Sequence, residues 1–364
     1  MKIHLWAPSF RGFGGGITAL SRELAFALRD LGHELKLISK FDVPGEWQSW
    51  PIWGAGKWSS RLQTPCLVAG ALAACARDRP DHVISTHVNF GPAARWARKL
   101  LGIPYTLIAH GVDIDPELSA GRRAALRGAQ RILAVSSWTR ERVVKLGIDA
   151  RRIDILPNTV DDARFSVALR PEKLVQRYAL EPGEKVVLTV ARLDGAERYK
   201  GYDRILRALP LVRAACGAVR FIVAGKGSDR ARLEDMAGEL GVERTVTFAG
   251  FVPDEELADH YRLADVFAMP STGEGFGIVF LEAMACGTPV LAGNLDGSVD
   301  ALDGGRLGKL VDPMGIDAIG GGIIALLRRE GPACWFERSA LHDAVIERFG
   351  RAAFRATLRR HMRF

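Results

Sequence analysis

Short apolar runs alternate with helix-forming stretches twice along this chain, and that alternation limits the folds open to it. The first series has runs at Ile3–Ala7, Glu34–Ser39, His82–Val88, Tyr105–Ala109, Arg131–Val135 and Ile153–Leu156. The second has runs at Val186–Ala191, Arg220–Ala224, Thr245–Ala249, Val266–Met269 and Pro289–Ala292. Runs this short and this rich in Val, Ile and Leu read as strands buried on both faces. The stretches between them space apolar residues three and four apart, as Ile17, Leu20, Leu24, Ala27, Leu28 and Leu31 do. Strand–helix–strand order of this kind requires crossovers and a parallel sheet. Two series predict two parallel-sheet α/β domains, and 364 residues suffice for two cores.

The pattern loosens between Thr159 and Lys185, where charges and two prolines collect. The expected domains are therefore 1–163 and 164–344, with an Arg-rich helical tail over Leu341–Arg363. In open α/β sheets ligands bind beyond the carboxyl ends of the strands, so the site is expected between the domains at those ends.

Several classes are set aside by charge and cysteine use. The net charge is +8, carried by an excess of Arg. Two readings stand: a composition bias, or a basic face for a membrane or an anionic substrate. No basic run is interleaved with stacking aromatics, so nucleic acid is not an expected partner. The five cysteines are scattered, form no CxxC and have no zinc spacing with His, which fits a reducing compartment. The first apolar run is too short for a signal peptide, and no stretch of about 20 apolar residues could span a bilayer. The expectation is a cytoplasmic protein, with peripheral contact at the inner face of the membrane as an open extension.

The stretch Ser271–Ala292 is the most informative locally. Glu274, Gly275, Phe276 and Gly277 make a tight turn after a strand, Ile278–Cys286 is helix-forming, and Gly287 stops it. The helix N-terminus then faces the carboxyl edge of a sheet, a place that favours phosphate. Glu274 in the turn and Glu282 inside the helix suit a ligand that joins a phosphate to hydroxyl groups. Arg192 follows the first strand of the second series, and Lys200-Gly201 follows a charged turn. Two cations at the end of a strand supply what a diphosphate needs.

In the first series, Gly14, Gly15 and Gly16 follow the first strand. They read as a tight strand-to-helix turn or as an approach for a phosphate or sugar. The segment 42–60 breaks the rhythm and holds Trp47, Trp50, Trp53 and Trp58. These could stack on a sugar, sit at a membrane interface, or pack the loop onto its own domain. Arg95, Trp96, Arg98 and Lys99 give one helix a basic face, membrane-facing or simply solvated. His110 ends a strand and reads as a substrate contact. Asp113-Ile114-Asp115 mimics a DxD metal triplet, but no metal is expected. No Gly-x-Ser-x-Gly elbow or P-loop supports acyl transfer or kinase chemistry.

At this point the chain resembles the retaining glycosyltransferases of family 4, the glycosyl transferases of group 1. The matching pieces are Gly14-Gly15-Gly16, His110-Gly111, Leu156 to Asp161, Val190 to Leu193, Tyr199-Lys200-Gly201, Val223 to Gly227, and Ala264-Asp265-Val266 before Pro270-Ser271. The most specific runs from Glu274-Gly275-Phe276-Gly277 to Glu282-Ala283-Met284-Ala285, the family's E-x7-E element. The resemblance implies the GT-B fold: two Rossmann-like parallel-sheet domains facing across a cleft, the tail helix (about 345–364) crossing back to the first domain. It implies that Arg192 and Lys200 hold the donor diphosphate, helped by Gly225 and by backbone N–H groups around Phe276, Gly277 and Ile278. Glu274 would contact the donor sugar, Glu282 the ribose, and His110 the sugar from the first domain. Gly15 and Gly16 would admit phosphates or acceptor.

The implied activity is transfer of a hexose from a nucleotide-sugar co-substrate, GDP-mannose or a UDP-hexose, to a saccharide or lipid-linked acceptor in polysaccharide or envelope glycan synthesis, with retention and without metal or other cofactor. Alternatives are a nucleotide-sugar epimerase of the same fold and a non-catalytic nucleotide-sugar-binding subunit. Three departures from the family pattern stand out. Seven residues separate Arg192 from Lys200. Thr159 follows Asn158 where Gly is usual, and Gly293–Ser298 replaces paired glycines and a glutamate.

Overall fold

The computed structural model describes residues 1–12, 15–114 and 117–362. Gly14 of the glycine triplet and Asp115 of the Asp-Ile-Asp triplet lie outside them. The chain divides into two units, one of Met1–Thr159 with Arg351–Phe364 and one of Val160–Gly350.

In the first unit, β1 (Lys2–Ala7) has parallel strands on both sides, which is why nearly all of it is buried. The other strands are β2 (Glu34–Ser39), β3 (Gly45–Trp47), β4 (Trp50–Gly54), β5 (His82–Ser85), β6 (Tyr105–Ala109), β7 (Arg131–Ala134) and β8 (Ile153–Ile155). Their order is β3-β4-β2-β1-β5-β6-β7-β8. Five helices connect them: α1 (Gly16–Asp30), α2 (Ser60–Asp78), α3 (Gly91–Leu101), α4 (Ala120–Gly128) and α5 (Ser137–Lys145).

The segment expected as a rhythm-breaking loop contains a hairpin. Gln48 and Ser49 both have positive φ (51° and 66°) and turn β3 back antiparallel onto β4. β4 then adds in parallel to β2, Leu37 opposite Ile52. Trp47 and Trp50 face each other with ring centroids 5.5 Å apart and pack on Phe26. Trp53 lies over Gly70, where a Cβ would come within 2.0 Å of its ring. Three of the four tryptophans thus pack onto their own unit. Trp58 is 43 % exposed.

In the second unit the strands are β9 (Lys185–Val190), β10 (Val219–Ala224), β11 (Val246–Gly250), β12 (Val266–Met269), β13 (Val290–Gly293) and β14 (Lys309–Val311). All pair in parallel, in the order β11-β10-β9-β12-β13-β14. The helices are α6 (Glu172–Arg177), α7 (Tyr202–Cys216), α8 (Arg230–Glu239), α9 (Asp254–Leu263), α10 (Ile278–Ala285), α11 (Ser298–Ala301), α12 (Ile316–Leu327) and α13 (Arg338–Phe349). Strand order reverses between β9 and β12, so the loops after these two strands flank a topological switch point.

The tail expected as one helix is two. It breaks at Gly350, whose extended backbone separates α13 from α14 (Arg351–His361). Val160 forms a parallel bridge with Gly350. α14 belongs to the first unit and lies on α1. Phe354 and Leu358 are buried there, and Arg351 and Arg355 pair with Glu23 and Asp30, each at 2.7 Å.

Candidate active site

The switch point of the second unit collects most of the expected residues. After β9 the chain passes Arg192 and winds through a 3-10 turn over Gly195–Lys200, started by Asp194, whose carboxylate accepts from the Ala196 N–H at 3.0 Å. The turn ends on Gly201, with φ +78° and a Cβ position 2.3 Å from the Pro270 carbonyl oxygen. Only glycine allows so close an approach. Thr272 N–H also donates to the Tyr199 carbonyl at 2.9 Å. The loop after β9 is therefore fastened to the loop after β12. The seven intervening residues are absorbed as this turn, and Lys200 comes to lie beside Glu274.

Lys200 Nζ is 3.2 Å from Glu274 Oε2 and 3.8 Å from Glu197 Oε2. Burial alone would lower the ammonium's pKa, but Glu274, Tyr199 and Glu197 together outweigh that and hold it above its ordinary value. Glu197 also pairs with Arg192, so one carboxylate faces both cations. The remaining cation of the turn, Arg198, is drawn away to Asp229 at 2.6 Å. Glu197 was legible in the sequence only as part of a charged turn.

The Glu274 turn has a brace that sequence reasoning missed. Asp296, in the segment that departs from the family pattern, accepts hydrogen bonds from Ser271 Oγ (2.7 Å), Glu274 N–H (2.7 Å) and Ser298 N–H (2.9 Å). Burial pushes its pKa up, opposed by these same bonds. Gly277 follows with φ +86° and caps α10. In the first turn of α10 Phe280 N–H donates to the Gly277 carbonyl at 3.1 Å, and the N–H groups of Ile278 and Val279 precede the first intrahelical acceptor. Phe276 is 1 % exposed and packs edge-on against Phe349, so its side chain belongs to the core.

Two further expected residues make close contacts of their own. Gly225 lies against β9: a Cβ would be 1.7 Å from the Ala191 carbonyl oxygen. Its lack of a side chain serves the approach of two strands. Glu282 faces α9 from inside α10 and accepts from the Tyr261 hydroxyl at 2.7 Å. Burial pushes its carboxyl up to about 7, with the Tyr261 bond only partly opposing.

The first unit places His110 at the end of β6. Its Nε2 is 2.7 Å from the Thr86 carbonyl oxygen. A carbonyl can only accept, so Nε2 carries a proton and donates it there. Asp113 Oδ1 takes the His110 N–H at 2.8 Å. Asp113 Oδ2 is buried without a hydrogen bond, 3.8 Å from His87 Nδ1. Burial lowers the His87 pKa to about 4, only partly opposed by Asp113, so this imidazole is neutral. His87 and Asp113 border a cavity of about 420 Å³, lined also by Asn89, Val112, Glu117, Leu118 and Arg122. Gly15 caps α1, and a Cβ there would meet nothing within 4 Å. Gly16 begins that helix. The chain leading to it is braced by Asp42, which accepts from Ser9 Oγ, Phe10 N–H and Arg11 N–H.

Among the described residues no helix is long and apolar enough to cross a membrane.

The family model described as glycosyl transferases group 1 matches residues 171–340, and that of glycosyltransferase family 4 matches residues 14–164. A GDP-mannose-dependent alpha-(1-6)-phosphatidylinositol monomannoside mannosyltransferase of Mycobacterium tuberculosis (strain ATCC 25618 / H37Rv) is 36% identical over 266 residues, covering 68% of each chain. A D-inositol 3-phosphate glycosyltransferase of Mycobacterium sp. (strain KMS) is 33% identical over 319 residues, 81% of this chain and 70% of the relative. Among solved structures, sucrose-phosphate synthase from Thermosynechococcus elongatus superposes with a TM-score of 0.83 at 22% identity, covering 99% of this chain and 97% of that one. Anabaena HepE in complex with UDP and glucose gives 0.78 at 21% identity, covering 99% and 98%. The structural likenesses establish the fold, GT-B.

Proposed function

This chain belongs to glycosyltransferase family 4, and from that premise we propose that it moves a hexose from a nucleotide sugar to a saccharide or lipid-linked acceptor, retaining the anomeric configuration. The observation that supports this reading most is the apposition of Lys200 and Glu274 beside the first turn of α10, at the switch point of the second sheet. A donor diphosphate there meets two cations and a helix N-terminus, while a carboxylate stands ready for sugar hydroxyls.

In the proposed reaction the bond from the anomeric carbon to the diphosphate oxygen breaks first. Negative charge grows on the leaving group, and Arg192, Lys200 and the N–H groups of Gly277 and Ile278 stabilise it. These groups do the work a metal ion does elsewhere. The acceptor oxygen then bonds to the same face of the oxocarbenium-like carbon, and its proton leaves with the diphosphate. Glu274 orients the donor sugar. Glu282 accepts from the ribose hydroxyls. His110, held through Nε2 on the Thr86 carbonyl, contacts a hydroxyl of the sugar with the other side of its ring.

The donor proposed is GDP-mannose or a UDP-hexose. GDP-mannose is the first to test, because a relative at 36% identity is named as dependent on it. Acceptors to test include polyol phosphates, since the relatives are named for an inositol phosphate and a phosphatidylinositol mannoside. The cavity beside His110, with Asp113 and Arg122 on its wall, offers such an acceptor a place.

A thermal-shift series with GDP, UDP and ADP identifies the base, because a ligand that binds only the folded state raises Tm. NMR of donor mixtures with and without acceptor follows. Transfer only when acceptor is present is the expected result. Conversion of a UDP-sugar without acceptor would favour the epimerase. Binding of a diphosphate with no turnover under any acceptor would favour the non-catalytic subunit.

A further inference from the structure

Four large apolar side chains stand exposed at one place on the first unit: Phe41 (55 %), Val43 (50 %), Trp58 (43 %) and Leu62 (48 %). Their exposure is built in. Asp42, between the first two, turns its carboxylate inward to Ser9 Oγ and the N–H groups of Phe10 and Arg11, at 2.6–3.2 Å. Residues 40–42 form a bend after β2, anchored at its centre by the Asp42 carboxylate and by Asp42 N–H, which donates to Ser39 Oγ at 3.1 Å. Asp42 is buried in this bend while Phe41 and Val43 on either side of it are exposed.

The second half of the patch is locked to the first. Gly56 N–H donates to the Asp42 carbonyl at 2.9 Å, and a Cβ on Gly56 would lie 2.3 Å from the Phe41 carbonyl oxygen. Trp58 sits on the following turn, and Leu62 on the first turn of α2. Loose loops bury such groups by folding over; these two are tied backbone to backbone.

Cations ring the patch. Lys40 lies 5.0 Å from the Phe41 ring centroid and Lys57 lies 5.7 Å from that of Trp58. Arg61 is exposed on the first turn of α2. The one acid between Phe41 and Val43 is the buried Asp42. Outward aromatics bordered by lysines and arginine match the headgroup boundary of an anionic bilayer, apolar groups to the acyl region and cations to the phosphates. The patch follows β2 and β4, at the carboxyl edge of the sheet, the same edge as His110. We propose that the first unit docks on an anionic lipid surface through Phe41, Val43, Trp58 and Leu62, with Lys40, Lys57 and Arg61 pairing with lipid phosphates.

The test is co-sedimentation of the whole chain with vesicles of phosphatidylcholine alone and of phosphatidylcholine with about a third phosphatidylglycerol. The expected result is binding to the anionic vesicles, a blue shift of Trp emission that is lost in Trp58→Phe, and release by high salt. Lys40→Glu/Lys57→Glu/Arg61→Glu should weaken partitioning on the order of a hundredfold. Phe41→Ser/Trp58→Ser should weaken it roughly tenfold or more, with Tm held, because these side chains are outward. Trp96→Ser/Leu100→Ser, on α3 far along toward the other sheet edge, should leave it unchanged. Equal binding to neutral vesicles, no binding at all, or loss only in the Trp96/Leu100 variant overturns the proposal. Vesicle binding needs no donor, so these outcomes leave the transferase reading untouched, and failed sugar transfer leaves this one standing.

Discussion

Lys200 Nζ lies 3.2 Å from Glu274 Oε2, although 73 residues of chain separate them. The contact exists because Gly201 lets the loop after β9 touch the loop after β12. Each of these residues is the other's ion-pair partner. A bound donor would divide the pair, phosphate to the cation and sugar hydroxyls to the carboxylate. Lys200→Ala and Glu274→Ala are each expected to lower kcat/KM by roughly a hundredfold to a thousandfold. Steady-state kinetics with the preferred donor checks this, with Tm measured alongside. Unchanged rates in both variants would remove these residues from the site.

Glu197 pairs with both Arg192 and Lys200 and so serves as a resident counter-anion. A diphosphate must displace it electrostatically. Glu197→Gln should therefore tighten nucleoside diphosphate binding, by roughly threefold to tenfold at low salt. Titration calorimetry reads this directly. Weaker binding in the Gln variant would mean that Glu197 positions the cations more than it competes for them.

Asp296 satisfies three donors around the Glu274 turn. Asp296→Ala leaves them without an acceptor in a buried place. The expected cost is about 2–4 kcal/mol of stability in urea unfolding. Turnover should fall as well, because the Glu274 backbone loses its brace. If stability drops while kcat at low temperature stays intact, the brace is structural only.

Glu282 gives a pH dependence whose sign can be worked out. Burial raises its folded-state carboxyl to about 7, above the ordinary value of 4.5. The folded state then holds a proton that the unfolded state has released. Stability from this group is full below about pH 4.5 and is lost as pH rises through about 7. Wild type should lose about 2–3 kcal/mol relative to Glu282→Gln between pH 5 and pH 8. Parallel urea curves at the two pH values make the comparison, and equal slopes in the two proteins would refute it.

Much of this is legible in the sequence, and the reason is periodicity. Buried parallel strands such as Val186–Ala191 and Tyr105–Ala109 must be continuous apolar runs, so they announce themselves. The turn at Glu274–Gly277 was legible because glycines and a following helix pattern leave few conformations. Other features left weaker traces. Pro44, Gly45 and Pro51 hid the β3–β4 hairpin, since proline and glycine normally interrupt strands. Gly350 breaks the tail in a run that otherwise has helical composition throughout. Glu197 and Asp296 were invisible as site residues because their importance lies in which distant groups they meet. Asp296 stands 22 residues from the amide it holds, and nothing in local pattern encodes that distance.

The inward carboxylate of Asp42 has one more consequence. It holds the approach to the glycine-bearing turn after β1 with two oxygens that also anchor the bend between the exposed Phe41 and Val43. The two loops are therefore not separable modules. A chimera that imports residues 40–58 from a relative also imports, or discards, the support of the chain before Gly15. Swaps meant to alter only what the surface touches would need Asp42 and Ser9 carried across as a matched set.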